Sequence, residues 1–139
     1  MKLYFDGSCG PNNPGGYACY AYVVMHENEC IIKQTGVECE GKEATNNVAE
    51  YAGLKHGLQY LLDNEITNKV EIFGDSKLVI SQVNGDWKCK QTHLQLMLKD
   101  VKTLLDQFDY WEASWVPRNE NSLADGLSKW QSVINEGKS

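Results

Sequence analysis

The 139-residue chain has a single arginine, three prolines and no apolar run longer than Tyr17 to Met25. That run is about half of what a bilayer span needs, so neither a membrane span nor a membrane partner is expected. Asp6 interrupts the N-terminus before an apolar segment can form, so no signal peptide is expected either. The five cysteines (Cys9, Cys19, Cys30, Cys39 and Cys89) are odd in number, and no two stand in a Cys-x-x-Cys pair. This spacing argues against a disulfide framework and against a structural zinc site, and it points to reduced thiols in the cytoplasm. A basic excess is missing too: 13 Lys and Arg face 19 Asp and Glu, a formal net charge of −6. That balance argues against a non-specific nucleic-acid binder, which needs a basic footprint. No repeat, low-complexity tract, linker or composition shift divides the chain, so residues 1–139 read as a single domain. The apolar fraction of 42% is enough for a packed core, which excludes disorder as the whole account.

The negative charge does not exclude a metal-dependent nuclease. Two divalent cations held by acidic side chains would bring −6 to −2. The charge is also uneven. Residues 77–102 carry Lys77, Lys88, Lys90, Lys99 and Lys102 against only Asp86 and Asp100, a mildly basic middle.

The periodicity predicts strands over residues 2–9, 17–26 and 30–38, with a Gly/Pro/Asn loop at 10–16 and a turn at 27–29. An i, i+3, i+4 apolar pattern from Val48 to Leu62 predicts a helix over 47–64, with Thr45 or Asn46 as its cap. A strand over 70–73, helices over 77–83 and 93–107, a strand over 110–116 and a closing helix from Ser122 complete the order βββαβααβα. The class is α/β: a mixed five-stranded sheet, an antiparallel meander followed by parallel strands, with helices on both faces.

Four acids stand where an acid has no plain structural task. Asp6 ends an apolar strand at a glycine, and Glu50 stands in the first turn of the first long helix beside Val48 and Ala49. Asp75 closes the fourth strand, where open α/β sheets place ligands, and Asp125 lies in the first turn of the closing helix. Plainer explanations exist for three of them. Glu50 and Asp125 would complement helix dipoles, and Asp75 would cap the helix that follows. If all four meet at one edge of the sheet, they repel unless a cation sits among them, and hard oxygen ligands suit Mg²⁺ or Mn²⁺. Two such ions about 4 Å apart stabilise both the attacking and the leaving oxygen of a phosphoryl transfer.

These segments carry a resemblance. Asp6-Gly7-Ser8, Thr45-Asn46-Asn47-Val48-Ala49-Glu50, Gly74-Asp75-Ser76 and Asn121-Ser122-Leu123-Ala124-Asp125 resemble, in order, the motifs of the type 1 ribonuclease H family. The stretch Asn84-Gly85-Asp86-Trp87-Lys88-Cys89-Lys90 resembles the shorter members, which lack a basic helical protrusion. The resemblance implies the ribonuclease H-like fold and endonucleolytic cleavage of the RNA strand of RNA–DNA hybrids, leaving 5′-phosphate and 3′-hydroxyl ends. It implies two Mg²⁺ ions, with Mn²⁺ as a substitute. Asp6 would bridge both ions, Asp125 would help hold the one that activates water, and Glu50 and Asp75 would help hold the one on the leaving-group side. A monomer acting on a hybrid duplex is the expected assembly, and the start at Met1 and the closing helix favour a free-standing protein.

An enzyme specific for hybrids must sense 2′-hydroxyls on one strand only. Asn46, Asn47 and the Asn12–Asn13 loop are candidates for that task, with distance from Asp6 favouring Asn12 over Asn13; turn chemistry alone would also account for the loop pair. Thr45 and Ser76 resemble phosphate-contacting positions, and Trp87 resembles the aromatic that packs on the DNA sugar. Trp111, Trp115 and Trp130 are expected in the core, and His56 and His93 in structural roles. The loop before Asp125 lacks the histidine of many relatives. It carries Arg118 instead, which would either meet a phosphate or cap strand-end carbonyls. A junction resolvase of the same superfamily and a non-catalytic nucleic-acid-binding domain are the competing functions. A 3′–5′ exonuclease is disfavoured because Asp6-Gly7-Ser8 lacks the Asp-x-Glu of that group, and a flavodoxin-like protein because no phosphate loop follows the first strand.

Overall fold

A computed structural model describes residues 1–122 together with 124, 125, 129 and 133. Strands β1 (Lys2–Gly10), β2 (Tyr17–His26) and β3 (Glu29–Glu40) form the meander. Glu27 and Asn28 close its second hairpin with φ values of 50° and 67°. Two successive positive φ angles give a turn whose twist matches that of the paired strands. Helix α1 (Asn46–Asp63) follows, then β4 (Lys69–Gly74), α2 (Lys77–Val83), α3 (Thr92–Leu105), β5 (Tyr110–Trp115) and a short 3₁₀ turn over Arg118–Glu120.

The sheet order is β3-β2-β1-β4-β5. β1 is central and pairs antiparallel with β2 on one side and parallel with β4 on the other. β4 and β5 are also parallel. The mixed sheet is therefore the expected one, with ends that differ from expectation by one or two residues.

Alternation along β1 sorts its side chains. Leu3 and Phe5 are fully buried and join Tyr22, Val24, Ile72 and the apolar sides of α1, α2 and α3 in one core. Burial of each large apolar side chain there contributes about 1.5–3 kcal/mol. Two glycines let α1 settle onto the strands. A Cβ at Gly53 would lie 2.8 Å from the carbonyl oxygens of both Asp6 and Ala21, and one at Gly7 would lie 2.3 Å from the backbone nitrogen of Glu50. Contact that close sets the separation of Asp6 and Glu50 by backbone packing rather than by side-chain reach.

The opposite face carries Tyr4, Val23 and Met25, which line a cavity of about 170 Å³ with Asn121, Ser122 and Ala124. Ser122, Ala124, Asp125 and Val133 are helical. The remainder of the expected closing helix, Trp130 included, lies outside the described residues. No helix among the described residues is long and apolar enough to cross a membrane.

Candidate active site

The topology brings together acids that are far apart in sequence. β1 supplies Asp6, α1 supplies Glu50, and the end of β4 supplies Asp75. One carboxylate oxygen from each lies within 4.8 Å of the other two. The plainer explanations for Asp75 and Glu50 do not hold. The acceptor for the first turn of α2 is the Ser76 hydroxyl, 3.2 Å from the Val79 nitrogen, not Asp75. α1 begins at Asn46, so Glu50 opens its second turn, and no acid lies in the first. The cap of α1 is Thr45, whose hydroxyl accepts from the Val48 N–H at 3.1 Å.

Burial and crowding set the electrostatics. Asp6 is 3% exposed and Glu50 9%. Asp6 is pushed up to about 7, first by burial and then by the neighbouring Asp75 charge, while hydrogen bonds from Glu50 and the Gly7 N–H act in the opposite direction. Glu50 is raised well above the ordinary carboxylate range, again first by burial and then by the charge on Asp6. Glu50 Oε2 and Asp75 Oδ2 are buried without a hydrogen-bond partner. Crowded carboxylates whose buried oxygens lack donors fit a divalent cation that prefers oxygen ligands.

Asp125 stands beside this group rather than within it. Its side chain hydrogen-bonds to Asp6, and its Oδ1 lies 3.5 Å from the Lys129 Nζ and 3.9 Å from the Arg118 Nε. Arg118 also lies 3.6 Å from Asp75 Oδ2. Of the two arrangements expected for Arg118, capping of strand-end carbonyls is not the one found, because two nearby carboxylates outcompete those carbonyls for the guanidinium. The loop that carries it is pinned by Asn121, which is 1% exposed and donates from Nδ2 to the Phe5 carbonyl at 2.9 Å. Asn121 was legible only as part of a motif; its anchoring role depends on a contact that spans most of the chain.

The substrate candidates divide into two groups. Asn13, Thr45, Asn46 and Asn47 line one groove of about 660 Å³ with Lys42, Gln91 and His93. Asn13 Oδ1 accepts from the Asn46 N–H at 3.3 Å, and Asn46 Oδ1 accepts from the Cys9 N–H at 2.8 Å. Asn12 lies elsewhere, in a neighbouring hollow with Pro11, Gly16 and Tyr17. Although distance from Asp6 favoured Asn12, the loop folds back so that Asn13 is the residue that reaches α1. His93, expected in a structural role, has an exposed ring that faces this groove; a residue at the start of an amphipathic helix, next to buried Leu94, carries the signal for an outward side chain. His56 is half-buried, paired with Glu38 at 3.0 Å and stacked on Tyr20. Trp87 is exposed, Trp111 packs against the core, and Trp115, expected in the core, is 43% exposed at the end of an edge strand. The Trp115 indole N–H donates to the Asp75 carbonyl at 3.1 Å, so the ring supports the site from outside.

Comparison with known proteins bears on this arrangement. The family model described as "Reverse transcriptase-like" matches residues 4–131. The crystal structure of RNase H1 from the halophilic archaeon Halobacterium salinarum superposes with a TM-score of 0.85 at 30% identity, covering 97% of each chain. The chain belongs to the ribonuclease H family. A ribonuclease HI of Halobacterium salinarum is 35% identical over 92% of this chain and 62% of its own length. The bifunctional protein Rv2228c of Mycobacterium tuberculosis is 36% identical over 92% of this chain. The chain spans only about a third of the length of that mycobacterial protein, 35%. A ribonuclease H structure solved in complex with an RNA/DNA hybrid, that of LC11-RNase H1, has a TM-score of 0.84 at 26% identity and covers 99% of each chain.

Proposed function

We propose that this ribonuclease H family member cleaves the RNA strand of RNA–DNA hybrids by two-metal-ion hydrolysis, leaving 5′-phosphate and 3′-hydroxyl ends. The observation that carries the reading is the set of three carboxylates within 4.8 Å of one another, two of them with buried oxygens that lack a donor. The hybrid held by the related LC11-RNase H1 supports the substrate class.

Asp6, Glu50, Asp75 and Asp125 are the residues that would hold Mg²⁺, or Mn²⁺ in its place. Asp6 touches both Glu50 and Asp125, which supports a shared, central role for it. When bound, the two ions would supply Lewis-acid activation of water and neutralise charge on the leaving oxygen. The protein's own residues do the rest. The close contact of Gly7 with α1 holds Asp6 and Glu50 at a separation set by backbone packing. Arg118 orients the phosphate and offsets its negative charge through its guanidinium.

On the substrate side, Asn13, Asn46 and Asn47 offer short amides to the 2′-hydroxyls along the groove. The Thr45 and Ser76 hydroxyls accept helix N–H groups and keep their own O–H to donate to a phosphate. Trp87 presents an exposed ring to the DNA sugar. We place the protein in the cytoplasm as a monomer, a setting that the five free thiols fit.

Cleavage of matched hybrid, RNA–RNA, DNA–DNA and four-way-junction substrates in Mg²⁺ and in Mn²⁺ tests the reading. The RNA strand of the hybrid should be cut, the DNA duplex spared, and activity lost in EDTA. An intact hybrid in both metals, or a junction cut faster than the hybrid, would refute it.

A further inference from the structure

We propose that Gln82 is a positioning residue for the substrate-facing segment 85–90, which it holds through the Lys88 carbonyl and so aims Trp87. The inference rests on the functional reading above and extends it to a residue that contacts neither the carboxylates nor the duplex.

Gln82 lies in α2 at 6% exposure, between Val79, Ile80 and Val83, all of which pack into the core. An unmet polar atom there costs about 1–3 kcal/mol, so the amide needs a partner at each end. It has both. Gln82 Oε1 accepts from the hydroxyl of buried Tyr51 at 2.5 Å, and its Nε2 donates to the Lys88 carbonyl at 3.4 Å. Tyr51 directly follows Glu50 in α1. On the far side, Gln95 of α3 donates from Nε2 to the Cys89 carbonyl at 2.8 Å. Two consecutive carbonyls are thus gripped by glutamine amides from two different helices.

The gripped segment has no helix or strand of its own to set its course. Its other backbone hydrogen bonds are local: the Gly85 N–H donates to the Gln82 carbonyl at 3.1 Å, and the N–H groups of Asp86 and Trp87 donate to the Ser81 carbonyl at 2.8 and 3.2 Å. Yet it carries exposed Trp87, Lys88 and Lys90, side chains suited to a nucleic-acid backbone. A leucine or methionine at position 82 would satisfy the core. A glutamine there makes sense as the link between the helix that bears Glu50 and the strip that meets substrate.

Steady-state kinetics on a hybrid, with Gln82→Met, Trp87→Ala and the double variant beside the wild type, test the link. Methionine keeps the length and volume and loses both hydrogen bonds. Gln82→Met should raise KM about 5–10-fold with kcat within about 2-fold, as expected when about 1 kcal/mol of uniform binding is lost. In the Trp87→Ala background the same substitution should change KM by less than about 2-fold, because the two act as one unit. An equal KM effect in both backgrounds, or a fall in kcat at unchanged KM, would overturn the proposal. If Gln82→Met does not fold, Gln95→Ala on the exposed side decides: a raised KM with kcat kept supports the grip, and an unchanged KM overturns it. A wild type that leaves the hybrid uncut refutes the functional reading itself, whereas a hybrid that is cut with unchanged KM in Gln82→Met refutes only the positioning role.

Discussion

Replacing Asp6 with asparagine should make the metal-free protein more stable while abolishing its activity. Asp6 is raised from 3.8 to about 7, a difference of about 3 units. At about 1.4 kcal/mol per unit, ionising it in the folded state costs up to about 4 kcal/mol. The sign follows from linkage. Between about pH 4 and pH 7 the folded chain holds a proton that the unfolded chain has released, so stability falls as pH rises through that window. Above pH 7 the full cost is present. Glu50, raised by the same burial and by Asp6 itself, adds in the same direction. Urea unfolding in EDTA at pH 5.5 and pH 8 reads this out. The wild type should lose about 2 kcal/mol between the two, the share of the Asp6 shift that lies above pH 5.5. Asp6→Asn should lose less than the wild type across the same range, keeping only the share that burial of Glu50 contributes, and should exceed the wild type at pH 8 by about 2–4 kcal/mol. Adding Mg²⁺ should raise the wild-type midpoint far more than that of the variant. A wild-type midpoint that does not move with pH, or an Asp6→Asn protein less stable than wild type at pH 8 in EDTA, would refute the electrostatic account of the cluster.

Asp75→Asn should reduce cleavage by at least about 10²–10³-fold, the loss typical of removing a preorganised charge from a reacting centre; near-wild-type turnover, with folding checked by circular dichroism, would remove Asp75 from the chemistry. Arg118→Ala should lower kcat about 10–100-fold, worth roughly 1.4–2.7 kcal/mol, with a smaller change in KM and an unaltered pH–rate shape from pH 6 to 9. Wild-type kinetics in that variant would make the contacts to Asp75 and Asp125 purely structural. Hybrid affinity should fall with salt at a slope of about −2 to −4 in log K against log[salt], since few phosphates can be neutralised by so few cations. A titration giving −8 would require a much larger basic surface than Lys42, Lys88 and Lys90 provide.

The parts of this protein legible in its sequence are those governed by short-range rules. The apolar run Leu3-Tyr4-Phe5 and the apolar period from Val48 to Leu62 marked β1 and α1, and both formed where the pattern put them. The four acids were legible through motifs, and the sheet order explains why three of them meet. What escaped was decided by directions of side chains that no local pattern records. Whether Asn12 or Asn13 faces α1 depends on how the 10–16 loop folds back. Trp115 has the composition of a core residue but sits at the end of an edge strand, where one side lacks a neighbour. Gln82 reads as a polar residue on an apolar helix, a fault in the pattern, until its two partners from other elements are seen.

The central strand has a consequence for the order of folding. β1 meets β2 through a short connection, whereas its parallel partner β4 arrives only after α1, and the segment bearing Asp125 closes last against Phe5. Loop-closure entropy makes such distant contacts late events on the way to the native state. If the carboxylates gather after the main barrier, their mutual repulsion has no hold on the folding rate. It acts instead on how long the folded molecule lasts: in a chevron plot, Asp6→Asn should shift the unfolding arm and leave the refolding arm in place. On that order of events, and in the absence of metal, the site would set the lifetime of the native state rather than the speed of its formation.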